Sequence, residues 1–124
     1  MKKFRNISIK LIFGYMLFLI LTSTTAYSQS PCENSLCVVQ YNASWNSAQS
    51  VVWMDKLTEC DIMEVDIASN TTAAGEYKIV VVPTIVIYNG GEEVKRFQAN
   101  IMMTMEATKK EVQNAIDEIL MEDF

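Results

Sequence analysis

The sequence predicts a single α/β domain, a three-layer sandwich on a four-stranded mixed sheet, in the order β-α-β-α-β-β-α. Three observations point there. Between residues 36 and 67 an apolar β-branched run, an amphipathic stretch and an alternating run follow one another, the pattern of a βαβ unit. Residues 79–88 form a long apolar run that passes through Asn89-Gly90-Gly91 into a polar alternating run, the pattern of a hairpin. Thr108-Lys109-Lys110-Glu111 is a capping box that opens a closing helix.

The first 28 residues stand apart from this pattern and read as a secretory signal peptide. Lys2, Lys3, Arg5 and Lys10 make a positive start, and residues 11–21 are an uncharged apolar run. Ala26-Tyr27-Ser28 offers small residues where a signal peptidase cuts. The run is shorter than the roughly 20 residues a membrane span needs. Cys32 follows Gln29-Ser30-Pro31, which is no lipobox. The expected product is an exported, periplasmic or extracellular domain of residues 29–124, with no membrane contact after cleavage.

That segment keeps six of the ten basic residues and all fifteen acids, a net charge of −9. Such a field repels nucleic acid and anionic lipid. The chain has no histidine, which excludes His-based triads and the commonest metal ligand. No Gly-rich phosphate loop appears among its four glycines. No cofactor or metal is expected.

Each element follows from local pattern. Leu36-Cys37-Val38-Val39-Gln40-Tyr41 suits a strand buried on both faces of a sheet. Residues 42–47 are polar and turn-like around Trp45. From Ala48 the period changes, and Val51, Val52, Met54 and Leu57 share one helical face, ending at Cys60. Residues 61–67 alternate strictly, with Ile62, Glu64 and Asp66 on one side and Met63, Val65 and Ile67 on the other. Asn70 is a good N-cap for a short helix through Lys78. Pro83 cannot sit inside a central strand, so it begins one or lies on an edge. Asn89-Gly90-Gly91 turns the chain because these residues accept positive φ cheaply. Residues 92–98 return as the partner strand. The closing helix turns Val112, Ala115, Ile116, Ile119 and Leu120 inward.

This order, with Pro83 where it stands, resembles the thioredoxin superfamily over about residues 36–120. Val38-Val39-Gln40-Tyr41-Asn42-Ala43-Ser44-Trp45 looks like the central strand and the aromatic stretch that lead into such a site. Glu64-Val65-Asp66-Ile67 looks like the second parallel strand. Val82-Pro83-Thr84, with the strand and Asn-Gly turn after it, looks like the cis-proline strand and its hairpin. The resemblance implies a cis Val82–Pro83 bond. It also implies a peptide groove lined by Trp45, Asn46, Val82, Pro83 and the turn Ala99-Asn100-Ile101.

The departures carry the functional expectation. Where the family has Cys-Gly-Pro-Cys after Trp, this chain has Asn46-Ser47-Ala48-Gln49 after Trp45. Neither a low-pKa thiolate nor a resolving thiol is present there, and the reaction needs both. The family's buried acid maps onto Gln40, which hydrogen-bonds but does not titrate. The family's helix-kinking proline falls near Met54.

Three cysteines remain. Cys37 begins one strand and Cys60 immediately precedes the next, so both lie at the pole opposite Trp45. Three pairings are open. Cys32–Cys60 is favoured, with Cys37 as a buried free thiol. That bridge would contribute about 3–4 kcal/mol in the chain-entropy model. Met102-Met103 and Met105 either pack under the closing helix or offer adaptable apolar contacts. The expected function is redox-inactive binding of an extended peptide or protein client, with no catalytic residue and an open oligomeric state. The alternative is a thiol–disulfide oxidoreductase of cell-envelope redox homeostasis, working through Cys32, Cys37 or Cys60.

Overall fold

A computed structural model describes residues 32–122. The proposed signal segment, residues 1–28, lies outside them. Four strands form one sheet: β1 (Leu36–Asn42), β2 (Asp61–Asp66), β3 (Thr84–Asn89) and β4 (Glu92–Gln98). The order across the sheet is β2-β1-β3-β4. β1 runs parallel to β2, with Val38 beside Ile62 and Gln40 beside Glu64. It runs antiparallel to β3, with Cys37 beside Tyr88 and Tyr41 beside Thr84. Two α-helices are present among the described residues, α1 (Thr71–Glu76) and α2 (Lys109–Glu122).

The β-branched interior of β1 and β3 is apolar on both faces because both faces are covered. On one face Val38, Ile85 and Ile87 pack with Val112, Ala115, Ile116 and Ile119 of α2. On the other, Cys37, Val39, Tyr41, Val86 and Tyr88 pack with Ala74 and Tyr77 of the α1 segment. The Val82–Pro83 peptide bond is cis, and Pro83 sits just before β3. Gly90 (φ 62°) and Gly91 (φ 86°) turn the hairpin. The Gly90 N–H donates to the Ser35 carbonyl, tying the start of β1 to that turn.

One half of the expected capping box forms at α2. The Glu111 N–H donates to the Thr108 hydroxyl at 3.2 Å, and that hydroxyl also meets the Glu111 carboxylate at 3.3 Å. α1 ends two residues earlier than its pattern predicts. Lys78 takes positive φ (54°), and the Arg96 guanidinium donates to the Tyr77 and Lys78 carbonyls at 2.7 Å each. Asn70 occupies the N-cap position, but its side chain accepts the Thr72 hydroxyl rather than a helix N–H.

The helix expected from Ala48 is absent. The segment is two 3₁₀ turns, Ser44–Gln49 and Met54–Lys56. Ser50 is extended (φ −59°, ψ 139°) and breaks the path. The Val51 N–H donates to Gln40 Oε1 at 2.7 Å instead of to a helical carbonyl. No side chain caps the first turn, and adjacent β-branched valines give helix little support. Val51, Met54 and Leu57 still reach the core, but Val52 is 86% exposed.

The favoured cysteine pairing is also corrected. Cys32 bonds to Cys37, with Cα atoms 6.0 Å apart, and Cys60 is the free thiol. The alternation of β1 explains this. Cys37 shares its face with Val39 and Tyr41, and Cys32 packs against that same cluster. Cys60 packs against the cluster on the opposite face. Positive φ at Cys32 (56°) belongs to the turn that brings its sulfur back to β1.

Candidate functional site

The carboxyl end of β1, the first 3₁₀ turn and the segment before β3 meet at one place. This is where ligand and catalytic groups sit in sheets built on parallel strands. Asn46 stands one residue after Trp45 and is buried. Its side-chain amide donates to Asn42 Oδ1 at 3.1 Å and to the Val82 carbonyl at 3.5 Å. Asn42 returns the contact: its Nδ2 donates to the Asn46 carbonyl at 3.2 Å and to the Ser50 hydroxyl at 2.7 Å. The residue at the absent sulfur's position is thus a satisfied amide, pointed at the residue before the proline.

Gln40 lies deeper along the same strand and is buried. Its Oε1 accepts the Val51 N–H, and its Nε2 donates to Glu64 Oε1 at 3.3 Å. Both ends of the amide are used, and no buried side-chain polar atom among the described residues lacks a partner. The position holds structure and carries no proton to transfer.

The structure joins some of the predicted groove residues. Asn46 reaches Val82, and the Ala99 N–H donates to the Pro83 carbonyl at 3.0 Å. Asn100 shapes the next turn: its Oδ1 accepts the N–H groups of Met102 (2.9 Å) and Thr104 (3.1 Å). Trp45 (67% exposed) and Ile101 (95% exposed) both face solvent. The methionines divide: Met105 packs against the core, while Met102 and Met103 are exposed.

Asn42 and Ser50 were missed from sequence. Asn42 read as a turn residue, yet it ends β1 and holds Asn46 four residues on. The Asn-x-x-x-Asn spacing was the available signal. Among the described residues no three His, Cys, Asp or Glu side chains gather to hold a metal ion.

Comparison with known proteins accords with this geometry. A sequence model of the thioredoxin family matches residues 19–118, and the chain belongs to that family. Similar solved structures include thioredoxin from Fasciola hepatica, 27% identical with a TM-score of 0.52, covering 69% of this chain and 82% of that one. A mutant thioredoxin from Halobacterium salinarum is 19% identical with a TM-score of 0.56, covering 72% and 78%. Schistosoma mansoni thioredoxin is 20% identical with a TM-score of 0.55, covering 71% and 80%. A search among curated proteins finds no match.

Proposed function

We propose that this protein is an exported, redox-inactive member of the family that binds an extended peptide or protein segment beside Val82-Pro83. The observation that carries the reading is the Asn46 amide, buried and bonded to the Val82 carbonyl at the position where the reaction needs a sulfur. Exposed Trp45, Ile101 and Met102 supply apolar surface around it, and aromatic and methionine side chains favour adaptable contacts. Binding is tested with an unfolded probe, reduced and carboxymethylated α-lactalbumin. It binds the natural protein and fails to bind Trp45→Ala; equal binding by both defeats the groove. The expected outcome is no insulin-disulfide reduction by the natural protein and measurable reduction by the Asn46→Cys, Gln49→Cys variant.

A second reading, thiol–disulfide exchange through Cys32–Cys37, is favoured by one observation: Cys32 is partly exposed while bonded to Cys37. Cys60 adds little to it, because burial and the neighbouring Asp61 carboxylate push its thiol pKa up and away from the reactive thiolate. Insulin reduction by the natural protein that disappears in Cys37→Ser would select this reading.

A further inference from the structure

β2 is an edge strand, and among the described residues nothing pairs with its outer side. Ile62 (37% exposed) and Met63 (44% exposed) point to opposite faces of the sheet. Ile62 is in register with Val38 of one core cluster, and Met63 with Val39 of the other. Each ends an apolar layer with one flank uncovered. A strand added outside β2 would cover both flanks and satisfy the outward backbone groups, the pairing for which an open edge is a template.

The charge on this edge selects the occupant. β2 carries Asp61, Glu64 and Asp66 and no basic residue. A groove of about 300 Å³ opens beside its carboxyl end, lined by Gln40, Asn42, Ser47, Ser50, Glu64 and Asp66. Its lining holds two carboxylates and no cation. Glu64 and Asp66 share the groove's face with Ile62, while Met63 lies on the other. A second copy of this chain fits poorly. Antiparallel pairing about a two-fold axis through Glu64 sets Glu64 opposite its own copy, and like charges directly opposed destabilise a sheet.

We propose that the outer edge of β2 takes up an extended segment of another protein that alternates lysine or arginine with apolar residues. The basic side chains lie on the groove face against Glu64 and Asp66, their stems over Ile62. The apolar side chains cover Met63. The outer edge of β2 adjoins the Asn46 site through Asn42 and Ser50 but does not include Val82-Pro83, and the proposal stands whether or not that reading holds.

The test uses a fluorescein-labelled, end-capped heptapeptide alternating lysine and valine, and its glutamate–valine counterpart, read by anisotropy against the full protein. The basic peptide binds, more weakly as salt rises, and the acidic one does not. Glu64→Lys or Ile62→Lys weakens binding by about tenfold or more, from repulsion on the groove face. Ile62→Lys serves as the second variant because Ile62 lies on the same face as Glu64 and is exposed on the open edge. Trp45→Ala leaves binding unchanged. The proposal is overturned by no binding of the basic peptide, by equal binding of both peptides, or by loss of binding in Trp45→Ala with none in the lysine variants. It is overturned equally by a dimer that Glu64→Lys dissociates.

Discussion

Gln40 Oε1 accepts the Val51 backbone N–H at 2.7 Å, at the point where the expected helix gives way to two short turns. Gln40→Leu leaves that buried N–H unpaired and should cost about 1–3 kcal/mol in urea unfolding. Gln40→Glu separates charge from shape. Burial and the facing Glu64 both raise the new carboxyl's pKa above its unfolded value. The folded state then favours the protonated form. The variant should lie close to the natural protein near pH 4 and fall behind it as pH rises. A gap independent of pH would refute this.

The Tyr41 and Tyr88 hydroxyls meet at 2.8 Å inside the core. Tyr41→Phe removes one partner of a buried hydroxyl and should cost about 1–3 kcal/mol, while adding Tyr88→Phe should recover part of the loss. Burial pushes both hydroxyl pKa values up. A raised folded pKa means stability is full below the unfolded value near pH 10 and is lost as pH climbs beyond it. Ultraviolet titration should show Tyr41 and Tyr88 ionising late, together with unfolding.

Asp66 accepts the Ala68 and Ser44 N–H groups, at 2.9 and 3.1 Å, and these bonds lower its carboxyl pKa. Its stabilising effect is therefore present above the unfolded value and lost as pH falls through the lower folded one. Asp66→Asn should be less stable than the natural protein at pH 7. The difference should shrink below about pH 4. Paired thermal melts across that range measure it.

The Cys32–Cys37 bridge spans a sequence separation of 5, so its loop-closure contribution is about 2 kcal/mol, smaller than the longer Cys32–Cys60 loop would supply. Cys32→Ser should lower stability by about that amount. Thiol counting after unfolding without reductant should find one free thiol, at Cys60. A peptide map linking Cys32 to Cys60 would disprove the pairing.

The sheet was readable because its strands announce themselves by composition. The apolar run before Asn89-Gly90-Gly91 fits a central strand covered on both faces. The face of α2 follows from Val112, Ala115, Ile116 and Ile119 at helical spacing. Val51, Met54 and Leu57 misled for the opposite reason. Their spacing suits a helix or a pair of tight turns, and a side chain on another strand decides between them. The cysteine pairing escaped because it depends on the turn at Cys32 and on which face Cys37 takes. The Asn42–Asn46 pair was hidden in a stretch whose polar residues read as loop. Linear spacing does not report such cross-chain bonds.

The disulfide and the free thiol lie on opposite sides of the sheet. The sheet therefore acts as an insulator between two sulfur compartments of one small domain. Attack of Cys60 on the bridge requires the start of β2 to leave β1, where Cys37 stands in register with Asp61, so shuffling of the three sulfurs records the opening of that edge. Heated without reductant, the protein carries a chemical memory of having opened: any Cys60-linked isomer marks a molecule whose β2 edge came away at least once.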